Sequence, residues 1–473
     1  MVSADNLNFD CLEIIFTYLS GNDLVSVSLV SRSFLAAAIP RIYRTLAFGL
    51  NQAKRYPTVI SPFTTVLEHP NLASHVRHID IRAIPTVKST PQPQFLRDCA
   101  RTISLCRNLG SFTCTLDVMP SFLLSLQRKE SLEQLRFIGN LTTDQCTQLV
   151  QITSLRELTI DGGSWNVVDA LPRWIDVLQP SLTSLSLYGI LSLNTDILEA
   201  ILPRLPHLTR LHILSCAKID QGAILRLVSH VPRLESLAFS SYVSLAQPTS
   251  ACVATLLTAQ QENSRPLPVH VTPLPRLRHL ALDSQCPPTH QPSMPAFWTK
   301  MIDLTRTWSC PLKSLTLRVT DRATSSDVFI RDVVDAHHAT LTHLALLNCA
   351  LTRENVTRIL RKCTELERVV LSIPDKDVLA FADMLVEAKR LHTIIDVGDV
   401  HSTQAPHPPL SRKEVRLIML QQPTIEKVIA DNRVWTWQAI RYPGSNPNHF
   451  DIRVDKKKSP STNHWFMPPI SVL

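Results

Sequence analysis

A six-residue phrase of the form Leu-x-x-Leu-x-Leu, in which other apolar residues sometimes replace leucine, recurs along the chain and strongly limits its possible folds. Its copies begin at Leu132, Leu155, Leu182, Leu208, Leu234, Leu277, Leu312, Leu341 and Leu366. Most of them follow one another at intervals of about 20–50 residues, the period at which proteins stack one supersecondary unit on the next. A stacked array offers a long exposed surface and seldom encloses a reaction chamber, so the repeats favour binding over catalysis.

The residues of each repeat indicate a strand followed by a helix. Within Leu185-Ser186-Leu187 apolar and polar residues alternate, which is the two-residue period of a half-buried strand. Asn194 then offers a capping group ahead of a helical apolar pattern that stops near Pro203. Such units in series predict an α/β fold in which a curved parallel sheet carries its helices on the outside.

The repeats resemble leucine-rich repeats. The copy at Leu208 reads Leu-x-x-Leu-x-Ile-x-x-Cys-x-x-Ile-Asp-x-Gly as far as Gly222, which is similar to the long, cysteine-containing subtype. The resemblance covers roughly residues 106–400 and implies a leucine-rich-repeat solenoid. It also implies that Cys216, and Cys349 at the same offset, are buried where the chain leaves the strand.

The first fifty residues follow a different pattern, that of three short helices. Leu12, Ile15, Phe16 and Leu19 share one helical stripe. Gly21-Asn22-Asp23 then breaks that helix and starts a second one, and a third segment carries Phe34. A module of this size buries little surface by itself, and docking to a partner can stabilise it.

This stretch resembles an F-box, through Leu7, Asp10, Leu12, Ile15, Phe16, Tyr18, Leu19, Asp23, Leu24, Val30, Ser31, Arg32, Phe34, Pro40 and Tyr43. The resemblance implies that the segment binds a Skp-type adaptor and, through it, a cullin–RING ubiquitin ligase. The expected adaptor-binding residues are Leu7, Asn8, Leu12, Ile15, Phe16, Leu19, Leu24, Val30 and Phe34.

Two positions depart from the family pattern. Asn8 stands where proline is usual, and Cys11 stands where leucine is frequent. Asn8 can still start a helix, because its side chain can accept backbone N–H groups. The alternative is that the apolar stripe is only the core of a small bundle that caps a repeat scaffold without any ligase.

These observations predict five segments. Residues 1–48 form the F-box-like helical module, 49–105 a connecting region with an irregular first repeat, and 106–400 the repeat array with a proline-rich insertion at 243–296. Residues 401–442 form a helical C-terminal cap, and 443–473 form a flexible tail. The insertion is either a tolerated surface loop or a loop that binds a partner. Lys456-Lys457-Lys458 belongs either to a solvated tail or to a nuclear address.

The residues that alternate with the buried leucines should line the concave face and hold a substrate. The candidates are Arg136, Tyr188, Arg210, His212, His279, Arg318, His343 and Arg368, with Glu157, Thr159, Asp161 and Asp283 among them. Arginine forks suit carboxylate and phosphate groups, so we expect an acidic or phosphorylated substrate segment. The alternative is a solvated sheet face without any such preference.

Composition and motifs exclude several other functions. The 10 glycines fit no phosphate-binding loop, and no nucleophile–base–orienting group or metal-ligand spacing appears, so we expect no catalytic residue, cofactor or metal. A net charge of +8 with 6% aromatic residues does not favour nucleic acid. Cysteines without a CxxC pair, and the lack of a signal-like start or a membrane-length apolar run, predict a cytoplasmic and/or nuclear protein that does not enter membranes.

Overall fold

The computed structural model describes residues 8–19, 21–242, 272–285, 296–324, 326–374, 377–397, 410–431, 433–440 and 451–458. They fall into two compact units, one extending to Ile219 and the other beginning at Asp220.

The first unit opens with three short helices, α1 (Phe9–Phe16), α2 (Asn22–Ser28) and α3 (Arg32–Ile42). Ser31 caps α3, because its hydroxyl accepts a hydrogen bond from the Phe34 backbone N–H at 3.2 Å. The helices share a small core made of Leu12, Phe16, Leu24, Ala37 and Ala38. The helical module expected near the N-terminus is therefore present, and its inner surface is apolar.

Seven parallel strands follow in the first unit. They are β1 (Thr45–Phe48), β2 (His78–Ile81), β5 (Ser111–Cys114), β6 (Gln134–Gly139), β7 (Glu157–Gly163), β8 (Ser184–Tyr188) and β9 (Arg210–Leu214), paired in that order. A separate antiparallel pair consists of β3 (Thr86–Val87) and β4 (Thr90–Pro91). The helices between the strands are α4 (Leu50–Arg55), α5 (Pro62–Glu68), α6 (Pro93–Leu105), α7 (Leu123–Leu126), α8 (Thr143–Leu149), α9 (Trp165–Leu178) and α10 (Thr195–Ile201).

The register lines up the middle apolar residue of every repeat in the first unit: Leu46, Ile79, Phe112, Leu135, Leu158, Leu185 and Leu211. The array therefore begins at Thr45, inside the predicted module 1–48 and ahead of the predicted start at 106. Residues 49–105, predicted as a connecting region with an irregular first repeat, contain the strand β2 and the helix α6.

The second unit continues the strand–helix alternation. Its strands are β10 (Ser236–Tyr242), β11 (His279–Gln285), β12 (Ser314–Thr324), β13 (His343–Ala350), β14 (Arg368–Leu371), β15 (Thr393–Asp396), β16 (Lys427–Ala430), β17 (Arg433–Ile440) and β18 (Asp451–Lys458). Its helices are α11 (Gln221–Leu227), α12 (Ala296–Thr307), α13 (Asp327–His337), α14 (Arg353–Lys362), α15 (Val378–Leu385) and α16 (Arg412–Gln421). Neighbouring strands from β10 to β16 are parallel, whereas β16, β17 and β18 pair antiparallel.

The strand–helix repeats confirm the predicted α/β leucine-rich-repeat solenoid, because the central residues of all the leucine phrases lie in strands. Each sheet carries its helices on the face that holds those leucines. Phe137 of β6 packs against Trp174 of α9, with ring centroids 6.3 Å apart, and Phe239 of β10 packs against Phe297 of α12 at 5.8 Å. The alternate residues lie on the other face, which we call the open face of each unit.

The C-terminal prediction is wrong in two respects. Among the described residues of the predicted helical cap 401–442, the helix is α16, and the strands β16 and β17 follow it. The predicted flexible tail 443–473 contains the strand β18. Burial alternates along β16, where Val428 is buried and Ile429 is half-buried, which is the period of a strand. The remaining tail residues, 443–450 and 459–473, lie outside the described residues.

The predicted insertion 243–296 is not one continuous segment, because β11 lies inside it and pairs with β10 and β12. Residues 243–271 and 286–295 lie outside the described residues.

The two cysteines implied to be structural are buried. Burial raises the pKa of Cys216 to about 11 and that of Cys349 to about 12, so both remain thiols at neutral pH.

One hydrogen-bond pattern recurs at the start of the strands. The Glu235 carbonyl accepts the backbone N–H groups of Arg278 and His279, at 2.8 and 2.9 Å. The Thr342 carbonyl likewise accepts those of Glu367 and Arg368, at 2.8 and 3.0 Å. Each such carbonyl joins one repeat to the next just before the strand begins, and thereby fixes the register.

Candidate functional site

The three N-terminal helices expose an unusual amount of apolar surface. Tyr18 at the end of α1 is 86% exposed, and Leu29 after α2 is 82% exposed. Further exposed apolar side chains on the same module are Phe9, Ile14, Ile15, Val25, Val30 and Leu35. So many large apolar side chains on a small module are typical of a surface that binds another protein. We call these eight residues the helical surface.

The loops between these helices are short and tightly turned. Gly21 precedes α2 with φ +53°, a left-handed conformation that a glycine adopts without the strain of a Cβ. The Arg41 guanidinium of α3 donates to the Thr17 carbonyl at 2.8 Å and ties the end of α1 to α3. Asn8 stands at the start of α1 as expected, but its side chain makes no capping hydrogen bond. Cys11 is exposed on α1.

On the open face of the first unit, the candidate arginines already have acidic partners. The Arg136 Nε donates to an Asp161 carboxylate oxygen at 2.8 Å, and both side chains are mostly buried. Arg210 lies 3.6 Å from Glu157, where both side chains are exposed. The register allows both pairs, because β6 and β9 each lie within two strands of β7.

Tyr188 and His212 lie together beside these pairs. The Tyr188 hydroxyl is 3.3 Å from His212 Nδ1, and the Ser186 hydroxyl is 3.4 Å from the same nitrogen. Burial raises the pKa of Tyr188, so the phenol stays protonated at physiological pH. Because Tyr188 is almost fully buried, it contributes little contact area to a partner.

On the open face of the second unit, Arg318 is paired as well. Its guanidinium lies 3.3 Å from the fully buried carboxylate of Asp283, which also accepts a hydrogen bond from the Ser240 hydroxyl at 3.0 Å. His279, His343 and Arg368 lie side by side at the start of their strands, with Ser314 between the two histidines. The candidates thus divide into two groups. Arg136, Arg210 and Arg318 have carboxylate partners, whereas His279, His343 and Arg368 form a row at the start of their strands.

The His343 imidazole is neutral at physiological pH. Burial, first of all, and the nearby Arg368 guanidinium lower its pKa, while Glu367 opposes them. Its Nδ1 is 2.8 Å from the Thr342 hydroxyl. Arg368 therefore contributes a positive charge to this row at physiological pH, whereas His343 does not.

Within the described residues, no group of three or more His, Cys, Asp and Glu side chains could hold a metal ion. None of the helices described has both the length and the apolar character needed to cross a bilayer.

Comparison with known proteins identifies the N-terminal module. Residues 5–38 match the F-box domain family. They form an F-box domain. No curated protein sequence matches the chain. The structure is similar to that of a chain in the crystal structure of the Rad7 and Elc1 complex in yeast, with 15% sequence identity and a TM-score of 0.42; the match covers 85% of this chain and 89% of that chain.

The F-box residues predicted to bind the adaptor divide into two groups. Leu12, Phe16 and Leu24 are buried in the F-box core, and Leu19 and Phe34 pack against that core. Burial makes Leu12, Phe16 and Leu24 part of the core that supports the helical surface, and adaptor contact by Leu19 and Phe34 stays a prediction. Three of the predicted residues, Asn8, Ile15 and Val30, are exposed and available for contact. Leu7 lies outside the described residues.

The exposed apolar residues Ile14, Tyr18 and Leu29 were missed, because the search for a helical stripe selects the buried face. For Ile14 a signal was present in the sequence. Asp10 and Glu13 are the charged residues of the helix Phe9–Phe16, and apolar residues occupy more of its circumference than one buried stripe.

Proposed function

We propose that this chain is the substrate-recognition subunit of a Skp–cullin–F-box ubiquitin ligase. Its F-box docks a Skp-type adaptor, and the open faces of the repeats bind the protein to be ubiquitinated. The role needs no reaction chemistry from this chain. The observation that carries the proposal is the helical surface, which lies on a module that matches the F-box family.

The F-box leaves a large apolar area unburied. The F-box core contains few fully buried side chains, while the helical surface leaves large apolar side chains in water. Covering such side chains contributes roughly 25 cal/mol for every Å² of apolar surface removed from water. A partner that covers them binds through that surface and also stabilises a module that is small by itself.

The test is a pulldown of the purified full chain with a Skp-type adaptor. Leu29→Asp and Val30→Asp place a charge on the helical surface without entering the core, so we expect both variants to stay folded and to lose adaptor binding. Leu124→Asp changes an equally exposed leucine outside the F-box and serves as the matched control. Phe16→Asp is a poor test, since it would unfold the core.

Binding by the wild type and by Leu124→Asp, together with its loss in both F-box variants, supports the proposal. If the wild type fails to bind the adaptor, the proposal is wrong, and the chain is better treated as a repeat scaffold. We extend the proposal to location in the cytoplasm and/or nucleus, where free thiols such as those of the described cysteines persist.

A further inference from the structure

The paired arginines narrow the place where an anionic substrate can bind. Arg136, Arg210 and Arg318 each lie beside a carboxylate of the same open face. An incoming anion would have to compete with those carboxylates and would meet their charge at close range. The acidic or phosphorylated segment expected from the sequence is therefore best received elsewhere on the repeats.

Arg368 and Lys427 are the best alternative. Their strands are separated by β15, and the register runs Arg368, Thr393, Lys427. Two strand spacings put their Cα atoms about 10 Å apart, so both side chains can reach one group. In the part of the chain that the structure describes, neither side chain has a hydrogen-bond or ion-pair partner. The nearby carboxylate of Glu367 instead faces His392, at 3.8 Å.

Arg368 also carries an orphaned donor. Its Nε is buried and has no hydrogen-bond partner among the described residues. Buried polar atoms in native proteins are nearly always paired, and one that is not calls for an explanation such as a ligand. A carboxylate or phosphate oxygen is the natural acceptor for this N–H, because both match the guanidinium fork.

An apolar row lies beside this pair. Val370, Ile395 and Ile429 are neighbours in register, each two residues further along its strand than Arg368, Thr393 and Lys427. All three are half-buried on the open face. Two residues along a strand span about 7 Å, which is also the distance between alternate residues of an extended peptide.

We propose that Arg368 and Lys427 form an anion subsite for an extended segment of the partner protein, in which an acidic or phosphorylated residue lies two positions from an apolar residue that packs on Val370, Ile395 and Ile429. This inference rests on the proposed function in one respect only: the partner is taken to be the substrate. Lys427 supplies a point charge, and Arg368 supplies the directed hydrogen bonds.

The probe is a peptide library with degenerate flanking positions, synthesised in three versions with glutamate, phosphoserine or glutamine at the fixed central position. The full chain is immobilised, and bound peptides are sequenced. We expect capture of the glutamate or phosphoserine library, with apolar residues enriched two positions from the centre. Capture of both libraries identifies negative charge as the determinant, and capture of phosphoserine alone identifies phosphate.

Arg368→Gln and Lys427→Gln should each lower the affinity for a selected peptide about tenfold or more, as expected for loss of one charge-assisted contact. Arg361→Gln is the matched control, since it removes an exposed arginine of α14 that is already paired with Glu387 and lies outside the open face, and it should change the affinity less than threefold. Equal capture of the glutamine library, no capture of any library, or unchanged affinity in Arg368→Gln and Lys427→Gln would overturn the inference.

The adaptor pulldown separates this inference from the proposed function. Both variants retain the F-box, so they should bind a Skp-type adaptor as the wild type does. Denaturant midpoints equal to that of the wild type show that their repeats are folded. If the adaptor fails to bind while the peptides still do, the ligase role is lost and the anion subsite stands as that of a scaffold.

Discussion

Replacing Phe16 by alanine should open the F-box helices while leaving the repeats intact. Phe16 is 2% exposed, and its ring centroid lies 5.4 Å from that of Phe34. Removing a buried phenylalanine side chain costs about 3–5 kcal/mol. At roughly 0.05–0.15 kcal/mol per residue, a module of this length has only about 2–5 kcal/mol of stability. The loss therefore equals most or all of it.

The assay is hydrogen–deuterium exchange followed by mass spectrometry. In the Phe16→Ala variant, we expect peptides from α1, α2 and α3 to exchange at least about thirtyfold faster, because losing a stability of about 2 kcal/mol or more removes that much protection and each 1.36 kcal/mol corresponds to a factor of about ten. Peptides from α14 (Arg353–Lys362) provide an internal reference that should not change.

Leu29→Ala is the matched control for this experiment. Leu29 is 82% exposed, so its truncation should change stability by less than about 0.5 kcal/mol and leave the exchange rates unchanged. If Phe16→Ala also leaves the exchange of the three helices unchanged, Phe16 is not part of their core and the division between core and contact residues is mistaken.

Three further predictions concern the repeats. Burial lowers the pKa of His337 from 6.5 to about 4, so the unfolded chain takes up a proton at a higher pH than the folded chain does. The free energy of unfolding should therefore fall by about 2 kcal/mol between pH 8 and pH 5. Denaturation of the wild type and of His337→Gln across that pH range measures this loss. A double-mutant cycle on Arg136→Ala and Asp161→Ala should give a coupling energy of about 1–3 kcal/mol, read from denaturant midpoints. Trp174→Phe should cost about 1–3 kcal/mol in the same assay, because it leaves the buried Ile152 carbonyl without the indole N–H now 2.9 Å away.

Each of these has a distinct contrary result. A stability difference between wild type and His337→Gln that stays flat from pH 8 to pH 5 would mean that the histidine is not buried in its neutral form. If the stability losses of Arg136→Ala and Asp161→Ala simply add in the double variant, the two side chains do not stabilise each other. Arg136 would then return to the substrate candidates. A neutral Trp174→Phe would mean that water replaces the indole.

The repeats could be predicted because leucine spacing reports directly on stacking, whereas the ends of the array could not. In β1 and β2 the phrase is carried by other apolar residues, such as Ile79 and Ile81, which the leucine pattern does not detect. At the other end, Ile425, Val428 and Ile429 have the i, i+3, i+4 spacing of a helical face, yet Val428 and Ile429 lie in a strand that pairs with β15 and β17.

The candidate site was predictable in its location but not in its details. The sequence placed the charged residues on the open face, yet which of them neutralise each other depends on register. Arg136 and Asp161 are 25 residues apart in the chain and meet only because β6 and β7 pair. In the F-box, a periodic stripe identifies the residues that hold the module together, and the apolar side chains on its outside, such as Tyr18 and Leu29, become evident only from their exposure.

One carbonyl accepts two N–H groups just before a strand begins. Because of this contact, the alignment of that strand with its neighbour does not depend on the length of the repeat. Leu237 stays in register with Leu280 although residues 243–271 intervene, because the Glu235 carbonyl holds the start of β11 whatever the chain does in between. Doubling the length of a flexible loop costs only about 0.6 kcal/mol. Such a chain can acquire, lengthen or lose whole connecting segments over evolutionary time while its strands stay in register. An engineer could exchange the segment 243–271 for a short linker on the same grounds.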